Sequence, residues 1–429
     1  MMKRIVEKGK TLLVDGPASV SLLSGKITIL GAVLKAGEKI VIREGKRVPF
    51  GARKRATFDL MLGEGASSEE IDGDHVPSSW EKASKEILSL KKPVTVMVMG
   101  DVDSGKTSFC TYLANEALRE KWKVAIIDAD LGQSDVGPPS TIGFNLVTAP
   151  VRDLFEIKAE SAYFVGLTSP SGVVNKVLEG LTELKNRILE IDVDFLIINT
   201  DGWVDGEDAT NYKIRLTERV SPSVVVGIQQ GDELAPILAT LKETKTLAIE
   251  SPQVVQRRNR EKRKILRELS YKKYLKQAKV QSFALNWVKV EGAPLGTGNH
   301  LTAEHMEKIR SLLGASPIYS EETPITVFIV LRKNQSIDEE QIERIGESFG
   351  KRVKVIREGE EEGLLVGLQD ERGKFLGIGI LCGVDYKRKT MKIYTPVSEN
   401  VSTIRFGQIK LDKNGREIGL STVYADYSI

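Results

Sequence analysis

The sequence predicts an α/β fold: a central, doubly wound parallel sheet flanked by a small N-terminal β domain and a C-terminal β-rich domain. Three observations carry this. Residues 93 to about 275 alternate short, continuously apolar strands with helical stretches, as a sheet covered on both faces requires. Residues 1 to about 66 show short alternating apolar runs punctuated by glycine, the pattern of an antiparallel domain. After about residue 276 strand-like runs resume. At 429 residues the chain exceeds what one hydrophobic core supports, and the boundaries fall at 1–80, 81–315 and 316–429.

In chain order, "SVSLLSG", "KITILGAVL", "EKIVIREGK" and "RATFDLML" are the N-terminal strands. A polar connector from Gly63 leads to a short helix at Glu81–Leu90. "VTVMVM" is a buried strand, and Phe109, Tyr112, Leu113 and Leu118 set a helix from Ser108 to Glu120. "KVAIIDAD", "VDFLIINT", "SVVVGIQQ" and "KTLAIES" supply further strands, with helices at Lys176–Ile191 and Asp232–Glu243 between them. The C-terminal strands include "LNWVKVEG", "ITVFIVLR", "EGLLVGLQD", "FLGIGILCGVDY", "TMKIYTPV" and "TIRFGQIKL", with helices at Glu304–Leu313 and Ser336–Phe349. "EGEEEG", Glu358–Gly363, reads as a solvated loop.

Composition excludes several classes. With 41% hydrophobic and 28% charged residues the chain is globular, and no apolar run is long enough to span a membrane. The N-terminus has no apolar segment of the secretory type, so a cytoplasmic protein is expected. Two cysteines and three histidines argue against a disulfide scaffold and against a histidine-based metal site or triad.

Between the strand "VTVMVM" and its helix lies Gly100-Asp101-Val102-Asp103-Ser104-Gly105-Lys106-Thr107, which fits G-x-x-x-x-G-K-[ST]. Such a loop turns backbone N–H groups onto phosphate oxygens. Its lysine reaches the β/γ-phosphates and its hydroxyl coordinates a metal. The nucleotide-binding stretch is thus Gly100 to Ser108. Asp128 and Asp130 close the next strand, where carboxylates face the ligand edge of the sheet; one can order a metal's water and the other accept a proton from a hydroxyl. "NTDGW" ends a third strand with Thr200, Gly202 and Trp203. Its tryptophan can stack on a nucleobase or plug the loop onto the core.

Charge is concentrated. Arg257 to Lys273 holds nine basic and two acidic residues, a local +7 in a chain whose net charge is +3. A solvated basic helix accounts for such a run, and so does an anionic partner. Arg258, Arg263 and Arg267 fall near one side of a helix, where guanidinium groups can close over a migrating phosphoryl group.

The order of phosphate loop, "DADLGQ", "FVGLTSP", "NTDGW" and an arginine-rich segment (253–275) ending in Tyr274-Leu275 resembles the polynucleotide 5′-hydroxyl-kinase family. Those relatives include the kinase subunit of the mRNA 3′-end cleavage complex, the ribosomal-RNA-processing kinases and archaeal enzymes. The likeness extends to "GPASVSLLSGKITILG" and "KRVPFGA" upstream and to "GLLVGLQDERGKFLGIGIL" and "KIYTPV" downstream. Asp128 stands where some relatives carry Glu, and Tyr274-Leu275 replaces an aromatic pair.

The resemblance implies ATP-dependent transfer of phosphate to the 5′-hydroxyl of RNA, in RNA processing or repair, with RNA-processing proteins as partners. DNA is left open as a second acceptor, GTP as a second donor, and other divalent ions beside Mg²⁺. It implies catalytic roles for Lys106, Asp130, Arg258, Arg263 and Arg267, and acceptor contacts for Gln133, Thr168, Thr200, Gly202 and Trp203. Thr107, Asp128 and Asp130 would hold the metal. The rival readings are a nucleotide-binding scaffold without transfer and a switch ATPase or GTPase. A scaffold has no need of Lys106, Asp130 and the lid arginines together, and against a switch, Trp203 and a strongly basic lid suit an anionic acceptor better than a protein partner.

Overall fold

The computed structural model describes residues 2–254 and 257–425. Strands β1 (Met2–Val6), β2 (Lys10–Asp15), β3 (Ala18–Ile29), β4 (Ala32–Leu34), β5 (Lys39–Ile42), β6 (Arg47–Leu62) and β7 (Ser68–Asp72) form one antiparallel sheet in the order β4-β3-β6-β2-β7, with β1 on β6 and β5 on β3. Alternating residues Val20, Leu22, Phe50 and Phe58 fill its core. The tip joining β5 to β6 carries Arg43, Gly45 and Lys46, which matter below.

Helix α1 (Ser78–Leu88) connects this sheet to the next layer. Its Trp80 is fully buried, donates Nε1–H to the Glu250 carbonyl at 2.9 Å and meets Phe109 edge-on at 5.1 Å.

The central sheet contains β8 (Val94–Gly100), β9 (Val124–Ala129), β10 (Thr141–Val147), β11 (Ser161–Phe164), β12 (Phe195–Thr200), β13 (Val224–Gln229) and β14 (Lys245–Glu250), ordered β11-β10-β9-β12-β8-β13-β14. The helices are α2 (Lys106–Arg119), α3 (Val174–Leu189), α4 (Glu207–Val220), α5 (Ala235–Thr240) and α6 (Arg260–Tyr274). β9, β12, β8, β13 and β14 run parallel, so the ends of β8, β9 and β12 lie side by side at one edge. That edge is where an α/β sheet of this winding binds its ligand.

The sequence reading missed β10, β11 and α4 here. β10 is antiparallel to β9, with Gly143 opposite Asp128. A Cβ on Gly143 would come within 1.8 Å of the Val136 carbonyl oxygen, so only glycine lets the chain return this closely past the loop after β9. α4 was also missed, although Ala209, Tyr212, Leu216 and Val220 make its buried stripe.

By internal contacts the chain forms two compact units, residues 1–163 with 169–267, and residues 164–168 with 268–429. Within the second unit, the β-rich part begins well ahead of residue 316. Strands β15 (Lys279–Ala284), β16 (Lys289–Glu291), β21 (Leu364–Gln369), β22 (Phe375–Asp385), β23 (Thr390–Thr395) and β24 (Thr403–Leu411) form one sheet in the order β15-β23-β22-β21-β24-β16, with Glu417–Leu420 added beside β24. Residues 285–288 alone join its two edge strands. That link reaches about 18 Å at most, whereas the edges of a flat six-stranded sheet stand roughly 24 Å apart. The sheet therefore curls on itself.

A second sheet in this unit pairs β17 (Asn299–His300), β18 (Tyr319–Glu322), β19 (Thr326–Leu331) and β20 (Arg352–Arg357), covered by helices α7 (Ala303–Leu313) and α8 (Glu339–Phe349). The acidic loop Glu358–Gly363 is not wholly solvated. Glu361 is 1% exposed and accepts hydrogen bonds from the Tyr386 hydroxyl at 3.0 Å and the Gly359 amide at 3.1 Å. Among the described residues no helix is long and apolar enough to cross a membrane.

Replacing Trp80 by Ala should cost about 3–5 kcal/mol, because a large cavity opens where α1 meets Phe109 and Glu250. Guanidinium unfolding followed by circular dichroism checks this. A loss below about 1 kcal/mol would mean the helix is not anchored through this ring.

Candidate active site

β8 ends at Gly100 and α2 begins at Lys106, so the phosphate loop spans the gap between strand and helix. Gly105 has φ +101° and stands at the N-cap of α2, where no side chain caps the first turn. The amides there remain directed at whatever anion the loop encloses. A Cβ on Gly100 would sit 2.4 Å from Ser104 Oγ and 2.7 Å from the Ile228 carbonyl oxygen, which fixes glycine at that position. Lys106 is buried and donates its Nζ to the carbonyls of Gly100 at 3.0 Å and Asp101 at 2.7 Å. Asp101 accepts from the Val102 amide, and Ser251 Oγ donates to the Ser104 carbonyl. The loop is held from both sides. Thr107 and Ser108 follow in the first turn of α2.

At the end of β9 the two aspartates have different surroundings. Asp128 is completely buried. Its Oδ1 accepts from Asn199 Nδ2 (2.9 Å) and the Asp130 amide (3.2 Å), and its Oδ2 from the amides of Asp135 (2.7 Å) and Val136 (3.1 Å). Burial, reinforced by the negative charges of Asp130 and Asp135, pushes its carboxyl up to about 7. The structure thus gives Asp128, expected as a metal ligand, a different place: its oxygens are committed to N–H donors that shape the 130–136 loop.

Asp130 is half-buried. Its Oδ1 accepts from the amides of Gly132 (3.1 Å) and Gln133 (2.9 Å), while no described residue donates to its Oδ2. Burial raises its pKa, opposed by the charge of Lys106 and assisted by that of Asp201. Asn199, unremarked in the sequence, donates to Asp128 and lies 3.4 Å from Thr107 Oγ1, so it ties β12 to both.

The arginine segment meets the loop directly. The Arg258 backbone amide donates to Asp103 Oδ2 at 2.8 Å and its guanidinium to Asp103 Oδ1 at 3.1 Å. Arg263 lies 3.6 Å from Asp103 Oδ2 and donates to the Arg258 carbonyl at 2.9 Å. Gln133 Nε2 donates to the Arg263 carbonyl at 3.1 Å, linking the Asp130 loop to α6. Arg267, one turn further along α6, is half-buried. The N-terminal sheet supports the same segment. Arg258 Nε donates to the Gly45 carbonyl, Arg47 donates to the Val254 carbonyl, and Leu266 packs on Gly45. Arg43 and Lys46 pair with Asp135 at 2.7 and 2.9 Å. Val255 and Gln256, inside the expected lid range, lie outside the described residues.

The "NTDGW" loop is built on a buried charge. Lys213 of α4 is fully buried; its Nζ is 3.0 Å from Asp201 Oδ1 and donates to the Asp201 carbonyl at 2.9 Å. Burial lowers its pKa, and Asp201 works against that. The Asp201 carboxylate also accepts from the Trp203 amide (2.9 Å) and the Tyr212 hydroxyl (2.7 Å). Tyr212 stacks on Trp203, centroids 5.6 Å apart and planes 25° from parallel. One face of the half-buried indole is therefore backed. Gly202 allows the loop to close on the phosphate loop, since a Cβ there would lie 2.6 Å from Val102 Cγ2. Thr200 is buried with its hydroxyl on the Val98 carbonyl at 2.9 Å, a structural tie rather than an exposed contact. Thr168 belongs to the 164–168 segment of the other compact unit.

The assembly suits transfer of a phosphoryl group. Uncapped amides, a lysine and guanidinium groups gather around a loop shaped for anions, beside a carboxylate with one open oxygen. Among the described residues no cluster of three or more His, Cys, Asp or Glu side chains could cage a metal. Thr107 and Asp130 nonetheless fit a divalent ion held largely by phosphate oxygens and water.

Residues 100–277 match the family model described as the mRNA cleavage and polyadenylation factor CLP1 P-loop. The chain is 34% identical over 350 residues to a polyribonucleotide 5′-hydroxyl-kinase of Pyrococcus furiosus, covering 80% of this chain and 95% of that protein. It is 30% identical to the polyribonucleotide 5′-hydroxyl-kinase of Methanocaldococcus jannaschii, covering 80% and 94%. A solved structure of a Clp1p–Pcf11p complex aligns with TM-score 0.66 at 12% identity, over 95% of this chain and 97% of that one, which speaks for the fold alone.

Lys213→Met strands the Asp201 charge in the core and should cost about 3–5 kcal/mol of stability. Adding Asp201→Asn removes that charge and should restore most of the loss, read as denaturation midpoints of the two single variants and the double. If the double variant is no more stable than Lys213→Met alone, charge compensation is not what Lys213 provides.

Proposed function

The chain belongs to the polyribonucleotide 5′-hydroxyl-kinase family, and on that premise we propose that Lys106, Asp130 and the arginines Arg258, Arg263 and Arg267 carry out transfer of the ATP γ-phosphate to a 5′-hydroxyl RNA end. One observation carries the assignment of the arginines: Arg258 and Arg263 converge on Asp103 inside the phosphate loop itself.

Lys106 leaves its carbonyl partners to bind the β/γ-phosphates, and the amides of Gly105 to Ser108 surround them. Mg²⁺, the metal we assign, would rest on Thr107 and Asp130 and supply charge neutralisation between the phosphates. Asp130 directs its open Oδ2 to the acceptor hydroxyl, where its raised pKa suits it to hold the departing proton. Arg263 and Arg258 spread their charge over the equatorial oxygens as these gain negative charge, and Arg267 extends the row. Trp203, backed by Tyr212, presents its other face to the terminal base. Gln133 spans the Asp130 loop and α6, so it positions rather than reacts.

RNA as acceptor follows the names of the relatives; DNA finds no such support. A cytoplasmic setting belongs to the same proposal, and GTP is to be assayed beside ATP. The founding test is incubation with γ-labelled nucleotide and matched 5′-hydroxyl RNA and DNA oligonucleotides. A folded chain that labels neither would overturn the reading.

Lys106→Ala should abolish labelling while leaving the circular dichroism spectrum unchanged. Asp130→Asn should retain ATP binding and lose roughly 10²–10⁴-fold in turnover. Should ATP binding vanish while turnover per bound nucleotide stays normal, Asp130 serves the metal only and the proton goes elsewhere.

The remaining contacts separate in steady-state kinetics. Trp203→Ala should raise the RNA KM by about 5–150-fold, the worth of one stacked base. Arg263→Ala should instead depress kcat, since its partner charge develops in the transition state. Lysine at 263 should recover little, a point charge being no substitute for the guanidinium fork. Equal rises in KM at unchanged kcat would make the arginines a passive surface.

A further inference from the structure

The link that closes the curled sheet of the C-terminal unit, residues 285–288, carries a tryptophan that the fold does not use. Leu285 is buried and its amide donates to the Lys389 carbonyl at 2.9 Å; Val290, at the far end, is buried too. Between them Trp287 is 82% exposed, the most exposed large apolar residue among those described. Its amide donates to the Ala284 carbonyl, so the backbone is fixed while the ring stands in solvent.

Beside it runs the turn between β22 and β23, Lys387-Arg388-Lys389, held to the link by that Leu285–Lys389 bond. All three residues are exposed, and the Arg388 side chain is 84% accessible. Arg388 reaches Asp385 only at 3.9 Å, and Lys389 Nζ touches His300 Nε2. Lys289, two residues beyond Trp287, pairs with Glu291 yet keeps 70% of its side chain accessible. A ring standing 82% exposed amid accessible cations is not the apolar groove that an amphipathic protein helix needs. It does suit a single nucleic-acid strand, whose bases offer one face at a time and whose phosphates follow the cations.

We infer that Trp287 and the Lys387–Lys389 turn form an accessory contact for single-stranded RNA, separate from the residues assigned to transfer. Trp287 stacks on a base, and Lys387 and Arg388 take flanking phosphates. The inference borrows only its ligand class from the kinase reading.

The test uses the full chain and a 3′-labelled 20-nucleotide single-stranded RNA without ATP, with anisotropy read across a salt series. Trp287→Ala should raise Kd by about 5-fold or more and leave the salt slope unchanged. Lys387→Glu with Arg388→Glu should raise Kd and flatten the slope of log Kd against log salt by about 0.7 per lost phosphate contact. Turnover of a 5′-hydroxyl dinucleotide, too short for a second contact, should match wild type in both. Unchanged Kd in both variants overturns the contact, whether the surface faces a protein or nothing. Failure of the kinase reading shows differently: wild type would leave the dinucleotide unphosphorylated whatever the Kd values.

Discussion

A buried carboxylate, Asp128, fixes the geometry on which the candidate site depends. Its two oxygens collect four N–H groups, from the Asp130, Asp135 and Val136 amides and from the Asn199 side chain. A charge with no solvent is tolerable only when hydrogen bonds saturate it. Here the saturating donors are the turns that aim Asp130 at the phosphate loop. Asn199 carries the constraint across to Thr107, and Asp135 carries it out to Arg43 and Lys46 of the N-terminal sheet. Removing this carboxylate would leave the site's reactive groups where they are in sequence but not in space.

The second organising feature is the pairing of Asp103 with Arg258 and Arg263. A loop built to hold polyanions contains a carboxylate of its own, paired with the arginine segment. The guanidinium groups are thereby held at the loop, both half-buried. Preorganised positive charge acts on a transition state without the reorganisation that solvent would need.

Much of this was legible in the sequence because it depends on local spacing. The eight residues from Gly100 to Thr107 must be contiguous to wrap a phosphate, and the arginines reveal themselves by density. What remained hidden depends on contacts distant in sequence. Asn199 looks like any polar residue near a strand end, and only the pairing of β12 with β9 brings it to Asp128. Lys213 sits on the buried stripe of α4, where a lysine reads as a break in the pattern; the apolar spacing of Ala209, Tyr212 and Leu216 was the available signal. β10 follows a glycine- and proline-rich loop, and its reversed direction rests on the close pass of Gly143 by Val136. Thr200 and Asp128 looked available for ligand by position, yet their polar atoms are spent on the fold.

The support that the N-terminal sheet gives the arginine segment bears on how this chain could be shortened. The tip between β5 and β6 supplies the Gly45 carbonyl to Arg258, the Arg47 guanidinium to the Val254 carbonyl and a glycine surface to Leu266. A fragment starting at α1 would keep every residue of the phosphate loop and every side chain proposed above for transfer. It would nonetheless release the arginine segment from one wall, leave Asp135 without its two cations and remove the glycine surface against which Leu266 packs. The sheet is thus as much a part of the enzyme as the nucleotide fold it precedes, and engineering a minimal kinase from this chain would have to begin at the first strand.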